Sequence, residues 1–272
     1  MDIRHQHVTQ AKIKPPAVAG LFYPAQADAL RQELARYLRQ ASPPASDAIP
    51  RALIVPHAGY PYSGPVAASA YRLLQAHPEQ FQRVLLLGPA HRLAFVGMAL
   101  PSDEWFRSPL GDLILDQDLC QQLLDLPFIQ TLDAAFAQEH CLEVQLPFLQ
   151  TLLDEFLLTP LLIGQSSAAQ VTQVLRLVAD DPHCLILISS DLSHYQSYAQ
   201  AQRQDQHSSE RILALDPEGL GPDDACGRMG IAGLLGLAQS LGWRPQLLDL
   251  RNSGDTAGPR DRVVGYGAYA FF

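Results

Sequence analysis

Leu185-Ile186-Leu187-Ile188-Ser189-Ser190-Asp191-Leu192-Ser193-His194 begins as a four-residue apolar run and reaches a histidine six residues after it. The plan occurs twice upstream, where Ala52-Leu53-Ile54-Val55 runs into Pro56-His57 and Val84-Leu85-Leu86-Leu87 into Gly88-Pro89-Ala90-His91. Short unbroken apolar runs bounded by turn residues read as strands buried on both faces. In open α/β sheets ligands collect at the carboxyl ends of such strands, so three histidines there can converge on one site. Imidazole suits such a site as a metal ligand or as a proton carrier near neutral pH.

Outward from these runs, strands and helices alternate. The reading is strand 52–55, helix 65–76, strand 83–87, a β-rich stretch 95–115, helices 117–125 and 140–153, strand 157–163, helix 167–179 and strand 184–189. Helices 197–214 and 226–241 and strands 245–251 and 262–271 follow. Gln26–Gln40 puts Leu30, Leu34, Tyr37 and Leu38 on one helical face, and Ser42-Pro43-Pro44-Ala45-Ser46 reads as a linker. This alternation predicts a mainly parallel sheet covered on both faces, with antiparallel additions near 95–115 and 245–271. No repeat or domain boundary interrupts it, so residues 1–272 read as one α/β domain with 1–16 a loose arm, and His5 and His7 as part of that arm.

A hydrophobic fraction of 47% supplies an ample core, and the formal charge of −9 with no basic stripe argues against nucleic acid. Met1–Lys14 has no apolar core of a secretory signal and no run approaches a membrane span, so the expectation is a cytoplasmic protein without membrane contact. Cys120, Cys141, Cys184 and Cys226 form no CxxC pair and are expected as reduced thiols. Walker loops, His-Glu-x-x-His and Gly-x-Ser-x-Gly elbows are absent, and Gly265-Tyr266-Gly267 follows no strand-to-helix transition, so no nucleotide cofactor is expected.

Around each histidine the sequence is specific. Small residues of Pro56-His57-Ala58-Gly59-Tyr60-Pro61-Tyr62 let the chain turn while Tyr60 and Tyr62 wall a cavity. His194 follows Asp191 by three residues, near enough for the carboxylate to orient or charge the ring of a general acid/base. Ser189, Ser190 and Ser193 read as caps of the next helix. In Glu139-His140-Cys141-Leu142-Glu143, His140 and Glu143 at i, i+3 share a helical face, as groups supporting a metal site would; a plain helix start is the alternative. Cys226 opens another helix, a position that lowers a thiol pKa, although burial as an inert thiol is the commoner fate.

Together these residues resemble the Memo family. The resemblance spans nearly the whole chain, through Pro16-Ala17-Val18-Ala19-Gly20-Leu21-Phe22-Tyr23-Pro24, Pro56–Tyr60, Leu87–His91, Glu139–Glu143, Ser189–Tyr195, Cys226-Gly227, Asn252-Ser253-Gly254-Asp255 and Val263–Tyr266. It implies a three-layer α/β/α sandwich like that of class III extradiol dioxygenases. By the same resemblance His57, His91 and Cys226 would be metal ligands and His194 a further pocket histidine. Iron or copper is the implied metal, zinc a third option, and the implied function is redox or dioxygenase-like chemistry. Family links to phosphotyrosine peptides and to radical-SAM proteins imply a peptide or small-molecule ligand and a radical-SAM association. Cys141 departs from the family by standing where serine is usual.

The expected protein is therefore a metal-dependent redox protein, with His57, His91 and Cys226 holding the metal and His194, aided by Asp191, moving protons. His140 and Glu143 would orient the site, with Tyr60, Tyr62 and Asp255 around the substrate pocket. Thiolate in place of a dioxygenase carboxylate softens the ligand set toward Cu(I) or zinc. The rival readings are a non-catalytic module that binds a peptide or small acidic ligand in the same pocket, and a zinc hydrolase.

Overall fold

Side chains of the central strands are buried on both faces of one sheet, which is why those strands read as unbroken apolar runs. The structure is a computed structural model that describes residues 11–42 and 48–272. His5, His7 and residues 43–46 of the expected linker lie outside that range. The strands are β1 (Ile13–Lys14), β2 (Ala52–Val55), β3 (Arg83–Pro89), β4 (Met98–Leu100), β5 (Trp105–Ser108), β6 (Gly111–Ile114), β7 (Ile129–Thr131), β8 (Leu157–Ile163), β9 (Cys184–Ser189), β10 (His194–Gln196), β11 (Pro245–Asn252) and β12 (Val263–Phe271). The helices are α1 (Ala27–Gln40), α2 (Tyr60–Tyr71), α3 (Gln117–Leu124), α4 (Asp133–Phe136), α5 (Leu146–Leu152), α6 (Ala168–Arg176), α7 (Tyr198–Leu213), α8 (Arg228–Leu241) and α9 (Ser253–Thr256).

The main sheet runs β10-β12-β2-β9-β3-β8-β4-β7, with β11 also paired to β12. Its middle, β2-β9-β3-β8, is parallel, and β12 and β4 join it antiparallel on either side. Leu53, Val84, Leu86, Leu158 and Leu185 face a core shared with α1, α2 and α5. Their neighbours Ile54, Leu85, Leu87, Leu161 and Ile186 face the opposite core, shared with α6 and α8. This two-residue alternation with helices on either side gives the three-layer α/β/α arrangement. Gly233 lets α8 settle against α6, for a Cβ there would lie 2.4 Å from Val171 Cγ1.

Several elements differ from the sequence reading. The helix expected from residue 65 starts at Tyr60, because Pro61 occupies its first turn, where a missing N–H costs nothing. The helix expected over 140–153 begins only with a 3₁₀ turn at Glu143–Gln145 and continues as α5. β7 and α4 were not anticipated, being too short to show a period. Residues 13–14 are not part of a loose arm but pair with β5 in a separate β1-β5-β6 sheet. Among the described residues no helix is long and apolar enough to cross a membrane.

Candidate metal centre

Three parallel neighbours, β2, β9 and β3, end side by side and deliver His57, Asp191 with His194, and His91 to one end of the sheet. Cys226 joins them from the turn before α8. Gly227 makes that approach possible, since a Cβ there would lie 2.7 Å from Ser190 Cβ and 2.9 Å from the Ser189 carbonyl oxygen. The Gly227 N–H donates to Ser190 Oγ at 2.9 Å, and the Asp191 N–H points at Cys226 Sγ at 3.3 Å. Ser189, Ser190 and Ser193 therefore do not cap α7, whose N-cap Ser197 makes no side-chain cap bond; Ser190 instead secures the turn carrying Cys226.

The His57 ring, 1% exposed, is fixed by a closed set of hydrogen bonds. Gln145 Oε1 accepts from Tyr71 Oη at 2.8 Å, so Gln145 Nε2 donates to the Pro56 carbonyl at 3.0 Å and to Ser189 Oγ at 2.8 Å. Ser189 gives its hydroxyl proton to the Cys141 carbonyl at 2.7 Å. Its remaining contact, His57 Nδ1 at 2.9 Å, can only be an N–H donating to Ser189. The proton sits on Nδ1. The Nε2 lone pair is left facing Cys226 Sγ, 3.3 Å away.

His91 is fixed by a different partner to the same effect. Glu139 accepts from the His91 N–H at 2.6 Å and from His91 Nδ1 at 3.0 Å, and also from the backbone N–H groups of His140 and Cys141. Burial alone would raise the Glu139 carboxyl, but the histidine side chains and the His91 N–H hold it well below the usual range. With both oxygens engaged, Glu139 acts as an orienting carboxylate behind His91 and leaves His91 Nε2 free. His140 lies against both rings, with centroids 4.9 Å from His91 and 5.4 Å from His57.

Ligand atoms of His57, His91 and Cys226 all lie within 4.8 Å of one another. In a tetrahedral site with His and Cys bonds of ordinary length the ligand atoms stand about 3.3–3.6 Å apart. The 3.3 Å between Cys226 Sγ and His57 Nε2 already has that spacing, and the set is a candidate metal site. His91, Glu139 and His140 form a second group within the same distance, but the hydrogen bonds on Glu139 mark it as support rather than as a ligand.

A family profile described as Memo-like protein matches residues 14–270. The chain belongs to the Memo family. A MEMO1 family protein of Saccharolobus solfataricus is 35% identical over 94% of this chain and 98% of its own length. Another, from Desulfurococcus amylolyticus, is 32% identical over 96% and 99%. Among solved structures, an uncharacterized protein from Escherichia coli, JW3007, superposes with a TM-score of 0.47 at 14% identity, covering 79% of this chain and 98% of that one.

In this Memo protein the remaining expected residues divide into those at the cavity and those turned away. His57, His91, His140, Asp191, His194 and Tyr62 line a cavity of about 570 Å³. Tyr60 is instead buried below it, its hydroxyl donating to the Val144 carbonyl at 2.7 Å. Glu143 faces the N-terminal segment, where it accepts from the N–H groups of Ala17 and Val18 and from Tyr23 Oη, beside Lys14. It does not share a face with His140 because residues 140–142 precede the helical turn. Asp255 caps the Asn252 N–H and meets Tyr198 Oη, away from the cavity lining. Cys226 backs onto a second, mostly apolar cavity of about 460 Å³ that includes Leu93, Phe95 and Val96.

Burial works against charge on His57, Asp191 and Cys226, whereas Glu139 beside His91 is held ionised. Burial lowers His57 well below the ordinary value, with the neighbouring His91 and His140 adding to the effect. Burial raises Asp191, against the His57 N–H that donates to it at 2.7 Å and the nearby His194. That N–H shows that Asp191 positions the His57 loop as well as sitting near His194. Burial and the adjacent Asp191 push the Cys226 thiol up to about 12, opposite to the direction its helix-start position implied. Desolvation outweighs the helix terminus here, and a cation held by Cys226 would reverse the balance by displacing the thiol proton. All four cysteines are free, and Cys141 is fully buried with Sγ 3.1 Å from the Pro89 carbonyl.

Proposed function

We propose that this protein is a cytoplasmic metal-dependent redox protein in which His57, His91 and Cys226 hold iron or copper. The observation that carries this reading is the convergence of three ligand atoms within 4.8 Å, with both histidines anchored through Nδ1 so that Nε2 is the available donor. Two imidazoles and a thiolate are softer than a dioxygenase set and favour Cu(I), with zinc as the redox-silent alternative. Copper or iron bound there would supply one-electron chemistry.

The chain's own residues prepare the site for a ligand. His194 stands in the cavity wall, where its ring can take a proton from the ligand or return one, with Asp191 lining the same cavity. His140 stacks on His91 and limits ring motion above Glu139. Phe22 and Tyr62 narrow the water-accessible space over the histidines.

Anaerobic purification followed by elemental analysis tests the reading, with iron, copper and zinc each offered to wild type, His57→Ala and Cys226→Ser. Wild type is expected to take up about one ion, and both variants to lose it. Equal, negligible metal in all three would overturn the metal site in favour of a binding module whose histidines act as hydrogen-bond donors. Tight zinc with no response to oxidant would favour the hydrolase.

A further inference from the structure

The mouth of the histidine cavity carries charge of one sign. Arg92 and Arg262 both line it and are exposed, and among the described residues neither is ion-paired. Arg262 is steadied by packing over the Tyr195 ring, 5.3 Å from its centroid. Tyr195, 65% exposed, is held in the left-handed region at φ 57°, a conformation uncommon for a residue with a side chain. The lining includes one acid, Asp191, which is 4% exposed and committed to the His57 N–H. In a chain with 28 acidic and 19 basic residues, two unpaired guanidiniums and no exposed carboxylate among the lining residues form a local reversal of charge. Such a rim draws an anion into a low-dielectric cleft.

The walls narrow the anion's class. Phe22, Tyr62 and Tyr266 give the cavity apolar surfaces, and a volume of about 570 Å³ suits a small organic molecule. A phosphate group would be served best by free backbone N–H groups at a helix N-terminus. The adjacent first turn of α2 has none to offer: the Tyr60 N–H donates to the Phe22 carbonyl, those of Tyr62 and Ser63 donate to the Gly59 carbonyl, and Pro61 has no N–H. What remains is guanidinium, whose planar fork matches a carboxylate or a phosphate; with no backbone N–H groups for a phosphate's further oxygens, two forks suit the two oxygens of a carboxylate.

We propose that the cavity binds a small organic carboxylate, its carboxylate held by Arg92 and Arg262 at the rim and its planar apolar body between Phe22 and Tyr62, pointing toward the histidines. This deepens the reading of the same site as a metal centre, but the rim does not need the metal.

The test uses 4-fluorobenzoate, its neutral counterpart 4-fluorobenzamide and 4-fluorophenyl phosphate as probes, followed by fluorine NMR on the full chain as apoprotein and after loading with zinc. The benzoate is expected to bind both forms at least tenfold more tightly than the benzamide. Arg92→Gln and Arg262→Gln should each weaken it about fivefold to tenfold, leaving zinc content and the folded spectrum unchanged. Cys226→Ser, outside the cavity lining, should lose zinc yet keep benzoate affinity, so failure of the metal reading and failure of the rim are told apart. Equal affinity for benzoate and benzamide, indifference to both arginine substitutions, or binding only in the zinc form would overturn the proposal. Phenyl phosphate tighter than benzoate by tenfold or more would overturn the choice of carboxylate.

Discussion

Ser189 gives its only proton to the Cys141 carbonyl and so receives one from His57 Nδ1, at 2.9 Å. The tautomer of a candidate ligand is thereby set by a hydroxyl that never touches the ion. Supporting hydrogen bonds of this kind are typically worth tenfold to a hundredfold in metal affinity. Ser189→Ala is expected to weaken zinc binding by about tenfold while the protein stays folded. A chelator competition titration measures it, and an affinity equal to wild type would show that Ser189 does not govern the His57 donor.

Glu143 gives the opposite expectation. Its carboxylate holds the N-terminal segment through Ala17, Val18, Tyr23 and Lys14 and leaves the cavity alone. Glu143→Gln leaves Lys14, itself buried, without its counter-charge, at a cost on the order of 3 kcal/mol. Urea denaturation should show that loss with zinc affinity changed by less than about threefold. Intact stability with lost zinc would return Glu143 to the site.

Stability should also respond to pH through Asp205. Burial raises this carboxyl from 3.8 to about 6, against the Ser193 N–H that donates to it at 3.0 Å. Because the folded protein keeps the proton longer than the unfolded chain, the folded state loses stability as pH rises from about 4 through about 6. Two pH units correspond to roughly 3 kcal/mol. Asp205→Asn, which cannot ionise, is expected to gain up to that amount over wild type at pH about 8 and little at pH about 4. Denaturation curves with the same difference at both pH values would contradict it.

These residues also show where the sequence was legible. The runs at 52–55, 157–163 and 184–189 are strands at those bounds, because burial on both faces of a parallel sheet leaves a near-continuous apolar signature, broken in β8 by Thr159-Pro160. His57, His91 and Cys226 were visible as strand-end and helix-start residues. Glu139 and Ser189 were visible only as a helix acid and a helix cap, since their roles come from partners 48 and 132 residues away. Periodicity reports which face a residue occupies, not what the fold sets opposite it. Cys226 does not open the helix as expected but sits in the turn before its N-cap Gly227, and burial raises its thiol where a helix start would lower it.

The strand that delivers His57 has only two neighbours, β9 and β12. Its pairings, Ala52 with Ile186 and with Phe271, join residues far apart in the chain. During synthesis β2 waits with both edges open until residues 184–189 and then 263–271 have emerged, and contacts of such long sequence separation form slowly. A metal held by His57, His91 and Cys226 would have no site until β9 has joined β2 to β3 and the turn carrying Cys226 is in place. Occupancy of the proposed centre would then report that β9 and the turn before α8 have been placed, while a chain lacking β12 should expose a sticky apolar edge of β2.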